Sequence, residues 1–237
     1  MLEPGNGKLG KNLGIWTYDL PPGEPQNNGT CPGCSKICRA ICYGDYGMMV
    51  SGEALVVREQ NKAAAMQSDF VETMVAEILE NAANIEVIRW HSTGDFFSVK
   101  YIRKVHQIVV QLQNMTTTQH VIHYAHTRSW NVGRLLPHLL DLRAEPNFFL
   151  WFSWDRSMRN AAQVRSEVGG RWCYLARTNA DPPPWPCELV FRHPIYAPPG
   201  APIYTPMPNG KMGGSKVCKH ETGENPKQCW QCRYCFK

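Results

Sequence analysis

Between residues 85 and 192 the chain alternates between short β-rich runs and runs of helical period, and this rhythm constrains the fold more than any other feature. "IEVIRW" reads as a strand and "SVKYIRKVHQIVVQLQ" as a helix. "HVIHYAH" is a strand and "VGRLLPHLLDL" a helix, with Pro137 as an interior residue that a helix tolerates poorly. "FFLWFSW" is a strand and "RSMRNAAQVRSEV" the helix after it, while "RWCYLA" and "CELVFRH" are two further strands joined by the proline-rich "DPPPWP". Upstream, "GIWTYDL" (14–20) has strand composition, and "EALVVREQNKAAAMQ" and "DFVETMVAEILENAA" carry apolar residues at helical spacing. Parallel strands need long crossovers, so the alternation predicts βαβ units and a mainly parallel sheet. Six predicted strands fit an α/β fold that is partial (β/α) barrel-like or an open doubly wound sheet.

The division expected is 1–30 as a lead-in with the first strand, 31–195 as an α/β domain of catalytic type, and 196–237 as an irregular Cys-rich C-terminal arm packed on it. Residues 1–13 read as a loose lead-in. At this length a chain buries about 70% of its unfolded surface and needs no cysteines merely to fold. The formal charge of +5 tolerates an anionic partner without demanding one. The N-terminal stretch has no apolar core of a secretory signal, and "FFLWFSW" is too short to span a bilayer. The expectation is a cytoplasmic protein with no membrane partner.

Parallel α/β architectures carry their chemistry where strands hand over to helices. Here those handovers are polar: "HSTGDFFS", "HTRSW", "SWDRS" and "FRHP". Helix capping would account for Ser98, Ser129 or Asp155. It accounts less well for Thr93-Gly94-Asp95 before an aromatic pair, or for Arg128 and Arg156 at successive handovers. The rim therefore supplies the catalytic candidates His91, Asp95, Arg128 and Asp155, and the cofactor-binding candidates Thr93, Gly94, Asp95 and Ser129. His91 reads equally as a proton donor or a hydrogen-bonded core residue. His123 and His126, three apart on a strand, point to opposite faces, and His126 lies nearer the strand end.

Ten cysteines in a reducing compartment point to metal or cluster ligands or redox groups rather than to disulfides. The tail holds Cys218, Cys229, Cys232 and Cys235, the last three at successive x2 steps. A tetrahedral zinc site draws its ligands as separated pairs, whereas three tight steps suit a cubane whose iron corners face one loop. The expectation is a 4Fe–4S cluster with Cys218 as fourth ligand, and zinc as the alternative. Cys31, Cys34, Cys38 and Cys42 form a second set directly after the first strand. They read as ligands of a second cluster, open to substrate if three bind, against a buried helical stripe as the competing account. Cys173 and Cys187 read as core residues within strands.

With "CPG…C…CYG", "STGDFFSVKYI", "HYAHTRSW" and the terminal "CWQCRYCF" in view, the chain resembles the phage and plasmid family called gene product 88. The likeness runs from about Leu13 onward; Thr93 replaces the family's usual serine and His126 stands where a tyrosine is common. More loosely, the chain is similar to radical S-adenosylmethionine enzymes. Those place a three-cysteine loop after the first strand of a partial barrel, a Gly-Gly-Glu-type segment after the second, and often auxiliary clusters near the C-terminus. That similarity implies S-adenosylmethionine as a cofactor and Asp95 as the partner of its methionine amino group. The spacing here is x2, x3 and x3, not the usual C-x3-C-x2-C. The functional expectation is an iron–sulfur enzyme acting on a nucleotide or nucleic acid with an external electron donor. Its alternative is a non-catalytic, zinc- or cluster-stabilised accessory or nucleic-acid-binding protein.

Overall fold

A computed structural model describes residues 1–10, 12–177, 181–192, 210–219 and 227–237. Seven strands form the main sheet: β1 (Glu3–Pro4), β2 (Ile15–Tyr18), β3 (Val87–Trp90), β4 (Ile122–Thr127), β5 (Phe148–Trp154), β6 (Arg171–Ala176) and β7 (Leu189–Arg192). They lie side by side in chain order. β1 is antiparallel to β2, and β2 through β7 are all parallel. The helices are α1 (Lys36–Ala40), α2 (Gly52–Met66), α3 (Phe70–Glu80), α4 (Val99–Gln113), α5 (Leu136–Arg143) and α6 (Ala161–Val168). A hairpin of β8 (Lys211–Met212) and β9 (Ser215–Lys216) and a one-turn α7 (Cys229–Cys232) complete the described elements.

Sequential strand order has a physical consequence. Crossovers between neighbouring parallel strands are right-handed, so successive helices fall on one face of the sheet and leave the other to be covered differently. On the helix face Tyr18, Ile88, Trp90, Ala125, Leu150, Phe152, Trp172 and Tyr174 form one core with α3, α4 and α5. The opposite face carries the alternate residues Ile15, Val87, Tyr124, Trp151, Cys173 and Leu189. Against it pack Leu9 from the N-terminal segment and Trp230, Tyr234, Cys235 and Phe236 from the chain end. Both termini thus replace the second helix layer of a doubly wound sheet. The fold is mixed α/β with a mostly parallel sheet; among the described residues no ladder joins β7 back to β1 or β2, so closure into a barrel is not observed.

Three local expectations change. The lead-in is not loose: Leu2 and Leu9 are buried, and Glu3–Pro4 adds an edge strand that a two-residue segment containing proline does not announce. Pro137 is not interior, because α5 begins at Leu136 and proline in a first turn lacks only an N–H that has no helical acceptor. Cys187 lies just before β7 rather than in it, with its thiol donating to the Leu189 carbonyl at 3.2 Å. Of the arm, residues 193–209 and 220–226 lie outside the described residues, His193 and His220 among them. Its described part is anchored to the sheet: Val217 bridges Val190, and the Cys218 N–H donates to the Val190 carbonyl at 2.9 Å. No helix among the described residues is long and apolar enough to cross a membrane.

Candidate functional site

The six parallel strands end at one rim, and there the β2–α1 loop folds over the sheet. Its approach depends on glycine. A Cβ on Gly33 would overlap the backbone carbonyl of Arg128, so the "CPGC" turn sits directly on the end of β4. Gly94 has φ +79, and a Cβ there would meet Thr30 Oγ1 at 2.6 Å, which locks the loop after β3 against the same segment. Ser35 completes the attachment. It caps α1, accepting from Cys38 N–H at 2.9 Å, and donates its hydroxyl to Asp155 Oδ2 at the end of β5.

Asp155 is fully buried and paired with Arg128, Nη1 to Oδ2 at 2.6 Å. It also accepts from the N–H and hydroxyl of Ser157 at 2.9 and 2.6 Å. Burial pushes its pKa up, but the Arg128 charge and these donors outweigh it and hold the carboxyl below its ordinary value. Asp95 is equally engaged: Oδ1 accepts from the Thr127 hydroxyl at 2.5 Å and from Phe96 N–H at 2.7 Å, and Oδ2 from Arg128 N–H at 2.8 Å. This carboxylate ties the β3 loop to the end of β4. Burial raises its pKa, opposed by the same hydrogen bonds. Thr93 donates its hydroxyl to the Leu20 carbonyl at 3.0 Å. Ser129 does not cap a helix of its own accord; it opens the 3-10 turn Ser129–Asn131, fully buried. Ser98 does cap, accepting from Tyr101 N–H at 3.1 Å. Arg156 points away from the rim to Asp181 at 3.0 Å.

Behind this rim lies a cavity of about 420 Å³. Cys31, Cys34, Cys38 and Cys42 all line it, together with His91, Thr93, Gly94, Asp95 and Arg128. The sequence candidates of the rim and the first cysteine set therefore meet in one place; Asp155 and Ser129 stand behind the wall. The cysteines are not a buried helical stripe: α1 contains only Cys38, and all four residues are half-buried and line the cavity. Burial raises the pKa of each, Cys34 to about 11 and Cys31 well above its usual value. The tail cysteines 218, 229, 232 and 235 line a separate cavity of about 20 Å³, with Lys216, Lys219 and Lys227 beside them. Burial is the largest cause of the raised Cys235 thiol pKa, followed by the neighbouring Cys218 and Cys229. Among the described residues, no three His, Cys, Asp or Glu side chains stand in a geometry that would hold a metal ion.

Among the wall residues the sequence did not single out, two are basic and lie outside the strand-end handovers. Arg89, at the third position of β3, projects from the inner face into the cavity, its guanidinium 5.9 Å from the Tyr124 ring centroid. Lys8 reaches in from the N-terminal segment, Nζ 5.6 Å over the Phe191 ring. A period-two reading of "VIRWH" would have found the first, since it sets Val87, Arg89 and His91 on one face. His91 itself takes φ +62, and its Nε2 is hydrogen-bonded to the Tyr101 hydroxyl at 2.8 Å. Burial first, then Arg89, lowers its pKa to about 3, so the ring is neutral. His126 faces the cavity and His123 the helix core, where it accepts from Trp90 Nε1 at 3.2 Å.

The family model for gene product 88 matches residues 1–237. The chain belongs to the gene product 88 family. No curated protein and no solved structure gave a significant match. The match spans both cysteine sets and the residues that line the rim cavity.

Proposed function

We propose that this protein is an iron–sulfur enzyme that acts on a nucleotide or nucleic-acid substrate in the rim cavity, with an external electron donor. The observation that carries the reading is that four cysteines share one 420 Å³ cavity with Asp95, Arg128 and His91, while four others share a small one. Sulfur-only donor sets select zinc or iron–sulfur clusters over hard ions. A single zinc ion holds its thiolates at about 2.3 Å and so draws them together, whereas a cluster takes each cysteine on a different iron and leaves the sulfurs apart around a cavity. Cys31, Cys34, Cys38 and Cys42 would hold the substrate-facing cluster, and Cys218, Cys229, Cys232 and Cys235 the closed one. A cluster at the rim would supply one-electron chemistry.

The chain's own groups have defined tasks in this reading. Arg128 offsets anionic charge beside Cys38, which contributes to its raised pKa, and is itself held by Asp155. Ser35 and Gly33 hold the cysteine loop to the sheet. Asp95 is a positioning residue, fixing Thr127 and Arg128. Use of S-adenosylmethionine is the narrower form of the proposal. The order of strand, cysteine loop, strand and Thr93-Gly94-Asp95 favours it. Against it, Asp95 already accepts three hydrogen bonds, which leaves one lone-pair position on Oδ2 for an amino group, with Thr93 and Gly94 beside it on the cavity wall.

Anaerobically prepared protein is expected to be brown, with iron and sulfide in equal amounts and absorbance near 400 nm that bleaches on reduction. Colourless protein holding one or two zinc ions overturns the proposal in favour of a metal-stabilised binding protein. Reductive cleavage of S-adenosylmethionine to 5′-deoxyadenosine by fully loaded protein tests the narrower form, and its absence removes that form alone.

A further inference from the structure

Two arginines of the cavity, Arg128 and Arg89, are in different electrostatic conditions. Arg128 is paired with Asp155 at 2.6 Å. Arg89 has no carboxylate within ion-pair distance among the described residues, and its buried Nε has no hydrogen-bond partner there. It faces the Tyr124 ring, a contact worth about 0.5–2 kcal/mol, and the Asp19 carboxylate acts on it only from beyond ion-pair distance. Burying a charge without a partner costs several times that. Neighbouring groups share the condition. Both ring nitrogens of His126 and Nδ1 of His91 are buried without partners among the described residues. These rings are not loosely placed: His126 stacks on Trp151 at 5.8 Å and meets Phe191 edge-on at 5.1 Å, and His91 is fixed by Tyr101. Burial keeps both imidazoles neutral, so each can donate one N–H.

We infer that the inner end of the cavity recognises the phosphate or carboxylate group of a small-molecule substrate, with Arg89 as its counter-charge and His126 and His91 as neutral hydrogen-bonding partners. A planar guanidinium matches either anion in a bidentate fork. The cavity volume lies within the range of about 300–1,000 Å³ typical of small-ligand sites, whereas a polymer backbone is tracked by an open basic groove. The inference rests on the proposed reading only in taking this cavity as the substrate site. It selects a mononucleotide-sized or carboxylate substrate over a nucleic-acid strand.

Calorimetric titration of the full chain with inorganic phosphate and, separately, with succinate, at constant ionic strength in chloride, tests it. One anion is expected to bind at one site per chain, the tighter of the two naming the source. Arg89→Gln should weaken that binding at least tenfold. Should that variant fail to fold by circular dichroism, Arg89→Lys and His126→Gln, which keep charge or polarity, should each weaken it threefold or more. Binding of neither anion, or unchanged affinity in the folded variants, overturns the inference. Iron content of the same samples separates the two readings: colourless protein that binds through Arg89 loses only the clusters, and brown protein that does not loses only this site.

Discussion

The two cysteine sets contain four thiols each and sit on the same side of one sheet, yet their surroundings differ in kind. The first lines a cavity of about 420 Å³ that also holds Asp95, Arg128 and His91; the second lines one of about 20 Å³, with Tyr234 and Phe236 in its wall. The cause is topological. The rim loop leaves β2 and must arch over strand ends, whereas the tail lies along the inner face, held by Cys229 N–H to the Lys8 carbonyl at 2.8 Å and Trp151 Nε1 to the Cys235 carbonyl at 2.8 Å. Among the described residues, the larger space lies at the first set. Under the proposed function, the same donor chemistry would serve a reaction at one site and hold down a chain end at the other.

The comparison can be broken most forcefully at Arg128. Arg128→Ala leaves Asp155 buried without its cation and is expected to cost about 3–5 kcal/mol, read as a fall in the urea midpoint. A loss below about 1 kcal/mol would mean that the pair does not hold the rim. Gly33→Ala should be next. The added Cβ overlaps the Arg128 carbonyl and forces the loop outward, at about 1–3 kcal/mol. Iron per chain should fall by about half in that variant and by the complementary half in Cys232→Ser. Equal losses of all iron in both would show that the two sets are not independent. Ser35→Ala removes a helix cap and the Asp155 contact, for about 0.5–2 kcal/mol, with the tail set unaffected.

A smaller and broader effect is expected from acid. His91 and His123 are held neutral with pKa values lowered to about 3, and His126 is lowered further by burial. Their unfolded value is about 6.5. Between these values the unfolded chain binds protons that the native chain does not, so stability falls as pH drops from about 6.5 toward 3. Asp155 acts in the same direction but lower: its depressed carboxyl stabilises above the ordinary carboxylate range and loses that contribution only as pH falls through its folded value. Urea midpoints at pH 7 and pH 5 check the histidines. His123→Gln should reduce the proton uptake on unfolding by about one at pH 5, and an unchanged slope would show that His123 is already charged in the native state.

Much of the scaffold was legible in the chain. Strand and helix periods located β2 to β7 and α2 to α6, because each element buries one face and its pattern records which. Polar strand ends identified Thr93, Gly94, Asp95 and Arg128 as one rim for the same reason: the alternation of β and α runs puts all the handovers at one edge. The helical stripe weighed against ligation for Cys34, Cys38 and Cys42 is not what the structure has, because spacing alone cannot tell a four-residue repeat from a loop with one helical turn in it. Edge strand β1 carries too few residues for any period.

What the sequence by itself determined is the order of elements, the grouping of eight cysteines into two sets, and the rim. Only the tertiary structure decided that Asp95 and Asp155 are bonded supports, that the tail covers the inner face, and that Arg89 stands beside His126 with no carboxylate in ion-pair contact among the described residues. Local periodicity reports which face a residue occupies. Whether a charge on that face meets a partner depends on residues dozens of positions away, and that is set by how the sheet brings them together.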